Sequence, residues 1–316
     1  MRSCTLALLL ALLSGCGPGA GEDLAQASGA ADASAVLAVA GPRAAQSRPV
    51  IGFGAEPRYN PVVMYRHYQP LLDYLSAHTQ YRFELRPAKT DREAVRALEE
   101  GEVDVALLSG VTYLMAHARF GARALVMPLD AGGRPFVHGV FVVREDSPLG
   151  ALADLRGRSL ALCSGYSAAG GLVARTELAR IGIVLADLAR FAYLRHPDLV
   201  IRAVLEGTFD AGAVDEAAAD RYRGKGLRIL HVSAPVPSAA VTVRPDLPDS
   251  VARAISAALV RLDAGDPDQR ALMRTWDLGV RQGFTAATDA DYDLLRRQVS
   301  QIPGGCAQGC HRDREF

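Results

Sequence analysis

The sequence predicts an α/β protein built from two similar lobes joined by two hinge strands, and three observations carry that reading. From Val50 onward, short β-branched runs alternate with longer amphipathic ones, the pattern of parallel α/β units. The series breaks off near residue 140 and restarts at Leu160. The two halves also echo each other: "AVRALEEGEVDVAL" and "VIRAVLEGTFDAGAV" each run from an apolar helix face through a Glu-Gly stop to an aspartate beside a short buried strand. Matching Asp104 to Asp210 gives an offset of 106 residues, and a period this long with two copies means two lobes, not a solenoid.

The elements follow in order. Val50 to Gly54, Tyr81 to Pro87 and Val103 to Leu108 are strand-like, separated by helical stretches at Pro61 to His78 and Asp91 to Glu100, with a third at Val111 to Phe120. In the second half, Leu160 to Cys163, Phe191 to Leu194 and Ala211 to Val214 are strands between helices at Gly171 to Ile181 and Asp198 to Leu205. "HGVFVVRED" (138–146) is a β-branched crossover between the halves, and "SAAVTVRPDL" (238–247) a second one returning. The expected division is therefore 49–140 plus 241–300 for the first lobe and 141–240 for the second. Helices around Ser250 to Leu262 and Asp291 to Val299 would pack back on the first lobe. A cleft between two hinged lobes is a natural ligand site.

The 316 residues, 49% hydrophobic and 22% charged, supply enough apolar material for two real cores. The N-terminus differs: Arg2 precedes the apolar run Leu6 to Leu13, too short to span a bilayer but right for a signal-peptide core. Leu13-Ser14-Gly15-Cys16 resembles a bacterial lipobox, so residues 1–15 are expected to be removed and Cys16 lipidated; the alternative is a plain small-residue cleavage site. Residues 16–48 are rich in Ala, Gly and Ser without apolar periodicity and read as a flexible tether. Lys and Arg number 35, as do Asp and Glu, and losing Arg2 leaves a formal charge of about −1, which gives no electrostatic case for a nucleic-acid partner.

Cys163, Cys306 and Cys310 would then lie in an oxidising compartment. Cys306-Ala-Gln-Gly-Cys310-His311 is one residue longer than a haem-attachment motif, so a local disulfide or an unstructured tail (301–316) is the better reading. Phosphate-loop lysine, His-Glu-x-x-His and Cys-x-x-Cys motifs are missing from the sequence, so neither a cofactor nor a metal is expected.

The chemistry concentrates in "SGYSAAGGLVAR" (164–175), a small-residue turn between a strand and a helix. One reading makes Ser167 a nucleophile with His196 and Asp215 as partners. The spacing opposes it: Gly-x-Ser-x-x-Gly is one residue longer than a nucleophile elbow, and the chain order differs. The other reading is an anion cradle, because backbone N–H groups at a helix start and the helix dipole favour negative charge.

Five stretches in sequence, "YQPLLDYLS" (68–76), "EGEVDVALLSGVTYLMA" (100–116), "REDSPLGALADLRGRSLAL" (144–162), "YSAAGGLVARTELARIGI" (166–183) and "RHPDLVIRAVLEGTFDAGAVDE" (195–216), resemble the phosphate/phosphite/phosphonate-binding lipoproteins of ABC transporters. The resemblance runs from about residue 49 to 300. It implies the periplasmic-binding-protein type II fold and an anion in the cleft, held by a Ser-Thr-Ser-Gly loop, a tyrosine after the Val-Asp strand and a histidine at another helix start. The loop aligns with Ser167, Ala168, Ala169 and Gly170, so two of three hydroxyls are missing. At about 1.5 to 3 kcal/mol per charged hydrogen bond, that loss costs roughly two to four decades of affinity unless Ser164, Tyr166 or another group compensates.

Tyr113 matches the family tyrosine, beside Ser109, against the alternative that Tyr113 packs on its own helix and Ser109 caps it. His196, before Pro197, stands at a helix cap, and Asp215 either contacts ligand or is an N-cap. The family's tyrosine near Asp91 is replaced by Thr90-Asp91-Arg92, and the crossover Val236 to Ala240 lacks an acidic residue that some phosphonate binders carry. Cys163 closes an apolar strand, which usually means plain core. The expected protein is a monomeric, non-enzymatic, lipid-anchored binder of a small oxyanion on the periplasmic side of the envelope. It would serve either an ABC permease or a sensor domain, by a closure that the ligand favours.

Overall fold

The computed structural model describes residues 48–194 and 196–301. The signal-like run, Cys16, the tether up to residue 47 and the tail with Cys306, Cys310 and His311 lie outside the described residues, as does Arg195.

The first lobe opens with β1 (Val50–Ala55), α1 (Pro61–His78), β2 (Arg82–Pro87), α2 (Asp91–Glu99), β3 (Val105–Leu108), α3 (Gly110–Phe120) and β4 (Arg123–Pro128). Sequence chemistry sets the helix starts. Asn60 accepts from Val63 N at 3.1 Å with Pro61 in the first turn, and Thr90 accepts from Glu93 N at 3.1 Å while Glu93 returns to Lys89 N. A two-residue strand, β5 (Phe136–Val137), leads into the second lobe: β6 (Gly139–Arg144), β7 (Ser159–Leu162), α4 (Ala174–Arg180), β8 (Arg190–Tyr193), α5 (Pro197–Leu205), β9 (Ala211–Asp215), α6 (Glu216–Asp220) and β10 (Leu227–Val232). The chain returns through β11 (Val236–Pro237) to β12 (Ala240–Val243), α7 (Asp249–Val260), α8 (Pro267–Met273), β13 (Phe284–Ala286) and α9 (Asp293–Gln301).

The first sheet runs β13-β4-β12-β3-β1-β2 and the second β10-β6-β9-β7-β8. Element for element, β4-β12-β3-β1-β2 repeats as β10-β6-β9-β7-β8. β1 in one and β7 in the other are flanked by two parallel neighbours, and the crossover strand, β12 or β6, is antiparallel to β3 or β9. The central strands β1, β3, β7 and β12 are buried almost throughout because helices cover both faces, which is why they read as unbroken apolar runs. β5 and β11 pair antiparallel, Val137 opposite Val236, and form the two-stranded hinge. Gly139 already pairs in the second sheet and Ala240 in the first.

Each sheet carries apolar layers on both faces. In the first lobe Phe53, Leu72, Ile255 and Trp276 pack beneath α1 and α7, and Leu98, Leu108, Tyr113, Tyr292 and Leu295 fill the opposite side. The second of these layers continues across the hinge, taking in Ala168, Leu172 and Val173 from the second lobe. The C-terminal stretch packs on the first lobe: β13 pairs with β4, and the Tyr292 ring lies 4.4 Å from that of Tyr113.

Candidate functional site

Loops at the carboxyl ends of the strands of both lobes converge, the place where open α/β sheets bind ligands. From the first lobe come Glu56 and Arg58 after β1, Asp91 at the start of α2, and Ser109 and Thr112 at the start of α3. From the second come the 164–170 loop after β7, His196 at the cap of α5, and Asp215 at the end of β9.

Side chains tie the two walls together. Ser164 Oγ donates to Asp91, and Ser109 Oγ donates to the Tyr166 carbonyl at 3.1 Å. His196 Nδ1 lies 2.8 Å from the Pro57 carbonyl; a carbonyl only accepts, so Nδ1 carries the hydrogen. Arg58 bridges to Asp215 at 3.2 Å, and Arg221 donates to the Tyr59 hydroxyl at 2.9 Å. Arg58 Nε is buried without a hydrogen-bond partner among the described residues.

Titration behaviour follows from this crowding. Glu56 accepts from Ser109 N at 3.0 Å and from the Thr112 hydroxyl, yet burial and then the nearby Asp91 charge outweigh these bonds and push its carboxyl up to about 8. Burial also raises Asp91, against the opposing hydrogen bond from Ser164. For Arg58, burial works against the charge, but Asp215 and Asp277 prevail and its pKa is raised.

The 164–175 stretch folds as a tight turn entering a π-helical segment, Ala168–Val173. Ser167 caps it, its Oγ accepting from Gly170 N at 3.2 Å. The glycines are needed for close approach: a Cβ on Gly171 would stand 2.3 Å from the Ser164 carbonyl oxygen, and one on Gly170 would stand 2.7 Å from Cys163 Sγ. Ala168 and Ala169 are both buried, and the Ala168 methyl joins the apolar layer shared with the first lobe. These two methyls are packing groups where the family pattern has hydroxyls.

Of the residues expected to line the site, Ser109, Tyr166, Ser167, His196 and Asp215 lie on or beside the facing walls. Tyr166 also has the Arg92 guanidinium 5.8 Å from its ring centroid. Asp215 caps α6 through Ala218 N at 2.9 Å, the second of its two expected roles, and also pairs with Arg58 at 3.2 Å. Tyr113 is a correction: it is fully buried, its hydroxyl donates to Asp289 at 3.0 Å, and its ring packs on Tyr292, so its polar atom is used within the first lobe. The Ser167-His196-Asp215 triad does not assemble, since each of the three is hydrogen-bonded to a different group. Cys163 is buried with its thiol pKa pushed up by desolvation, so it supplies no thiolate.

Glu56, Arg58 and Thr112, and the acidic side chain of Asp91, were missed in the sequence as site groups. A signal existed: Glu56-Pro57-Arg58 directly follows the first buried strand, where such folds place ligand contacts. Separately, an open groove of about 590 Å3 lies on the outer face of the first lobe, where Arg123 pairs with Asp249 over an apolar floor. Among the described residues no cluster could hold a metal ion and no helix is long and apolar enough to cross a membrane.

Comparison with known proteins agrees with this layout. A binding-protein component of an ABC phosphonate transporter from Pseudomonas aeruginosa superposes with a TM-score of 0.71 at 17% identity, covering 84% of this chain and 93% of that one. PhnD1 from Prochlorococcus marinus, solved with methylphosphonate, gives 0.71 at 17% identity, covering 80% and 98%. A Xanthomonas citri protein solved with ATP gives 0.63 at 26% identity, covering 84% and 98%. These neighbours fix the fold as the two-lobed periplasmic-binding-protein type II. The model of the family described as "ABC transporter, phosphonate, periplasmic substrate-binding protein" matches residues 53–292. That match spans both lobes and every loop of the facing walls, and the chain therefore belongs to the periplasmic substrate-binding proteins of phosphonate ABC transporters.

Proposed function

We propose that the two facing walls form the ligand cleft of a transport receptor, which captures a small oxyanion of the phosphate, phosphite or phosphonate class and presents it to a membrane permease. The observation that supports this is the convergence of strand-end loops from both lobes, which brings Arg58, His196, Ser164 and the 164–170 loop together; in this reading these are the groups that meet the anion. The loop lacks two hydroxyls, and Ser164 and Arg58 are the compensating polar groups. Family membership favours delivery to a permease over service to a sensor domain. Cys16 anchors the mature chain to the membrane by lipid in this reading, leaving the body on the periplasmic side and acting as a monomer.

Titration calorimetry of the purified body against phosphate, phosphite, methylphosphonate, sulfate, arsenate and arsenite tests the ligand class, with ATP added because the Xanthomonas citri protein holds it. Binding of at least one phosphorus oxyanion is expected; silence across the panel removes the oxyanion reading while leaving the family assignment intact. For the anchor, Cys16→Ser is expected to move the protein from the membrane fraction to the soluble one, and continued membrane association would contradict it.

A further inference from the structure

The echo between the lobes extends to two aromatic rings at their meeting walls. Phe53 pairs with Val105 in the first sheet and Leu160 with Ala211 in the second, so β1 and β7 are equivalent strands. Tyr59 stands four residues beyond the end of β1, and Tyr166 four beyond the end of β7. Each ring meets an arginine of the opposite lobe: the Arg221 guanidinium lies 5.4 Å from the Tyr59 centroid, and that of Arg92 lies 5.8 Å from the Tyr166 centroid. Both distances fall within cation–π range.

The Tyr59 contact is assembled in advance on each side. Arg221 Nη1 donates to the Tyr59 hydroxyl at 2.9 Å, while Nη2 donates to Asp198, which the Tyr222 hydroxyl also reaches at 3.4 Å. Arg221, Asp198 and Tyr222 all belong to the second lobe, so the guanidinium is held and its charge met within that lobe. Capturing an anion is therefore not its task. Tyr59 is buried in the first lobe and stacks on His67 with ring centroids 5.2 Å apart. Two preset halves lose little freedom on meeting, so the strength of their contact goes into holding the lobes together.

We propose that Tyr59 and Arg221 are positioning residues, a clasp that sets the balance between separated and facing lobes without touching the ligand. This rests on the cleft reading above and adds the groups that hold the cleft shut.

The experiment is calorimetry with methylphosphonate, phosphate and phosphite on the unaltered protein, Tyr59→Phe and Arg221→Gln. Tyr59→Phe keeps the ring and loses the hydrogen bond. Arg221→Gln loses both contacts, and Asp198, with its side chain 39% exposed, is left to water. Each variant is expected to weaken every ligand that binds by a common factor of about tenfold. Ratios between ligands should stay within about twofold, because closure changes the fraction of competent protein equally for all of them. Stopped-flow kinetics should place the loss in the dissociation rate, with association changed by less than about threefold. A loss confined to one ligand makes these residues ligand contacts and overturns the inference, as does unchanged affinity in both folded variants. Should one variant not fold, the other decides the matter. Failure of all three ligands to bind the unaltered protein overturns the cleft reading and this inference with it.

Discussion

Asp104 and Asp210 perform one task in two places. Asp104 accepts from Gly52 N at 2.9 Å at the start of β1, and Asp210 accepts from Ser159 N at 2.8 Å at the start of β7. Each pins β1 or β7 to the turn before β3 or β9, so the sequence echo marks a structural joint in each lobe. Tyr113 shows the opposite outcome, because sequence position put it beside the cleft while the helical face it occupies put it in the core. Tyr113→Phe is expected to remove its bond to Asp289, costing about 1 kcal/mol and lowering the melting temperature by about 2 to 4 °C. Calorimetry should then show ligand affinity unchanged; a collapse of affinity in a folded protein would return Tyr113 to the cleft. Glu56 makes a pH prediction. Its carboxyl stands near 8 in the folded chain against 4.5 for an ordinary glutamate, so between those values the folded state holds more protons than the unfolded one. Its contribution is fully present below about 4.5 and is lost as pH rises through about 8. Melting temperatures should fall from about pH 5 to pH 8, and Glu56→Gln should flatten that slope.

At the scale of elements, the loop from Ser164 to Gly171 is where sequence reasoning reached furthest and then stopped. The small-residue spacing predicts a turn between strand and helix, and the turn is there. What spacing alone could not convey is that the helix begins with a π-helical segment and that Ala168 and Ala169 are buried, Ala168 in an apolar layer shared with the first lobe. Gly171→Ala is expected to destabilise the protein by about 1 to 3 kcal/mol, since the added Cβ meets rigid backbone. Chemical denaturation would read this as a lower midpoint at unchanged slope, and an unchanged midpoint would contradict the close approach. The central strands were legible because burial on both faces makes them continuous apolar runs. β4 and β10 were not identified: each is part-buried over much of its length and lacks a clean alternation. β13, three residues long, is defined by its partner β4 and not by its own pattern. Glu56 and Arg58 illustrate a general limit, since a charged pair after a strand becomes a site only when Asp91 and Asp215 are brought opposite it by long-range folding.

For the whole molecule, function depends on two lobes meeting through a narrow hinge. Their contact mixes an apolar patch around Ala168 and Leu172 with polar bridges from Arg58, Ser109, Ser164 and His196. In the proposed reading a ligand acts by favouring the arrangement in which these walls face each other, and its affinity would carry the cost of bringing them together. Arg58 is central to that arrangement, and Arg58→Ala is expected to weaken ligand binding by about tenfold or more, a difference of at least about 1.4 kcal/mol. The most direct test of the central claim, that these facing walls bind a phosphorus oxyanion, is titration of methylphosphonate into the unaltered protein and into Arg58→Ala side by side. The account predicts saturable one-to-one binding by the unaltered protein, weakened in the variant. No heat of binding in a correctly folded protein, or equal affinity in both, would contradict it.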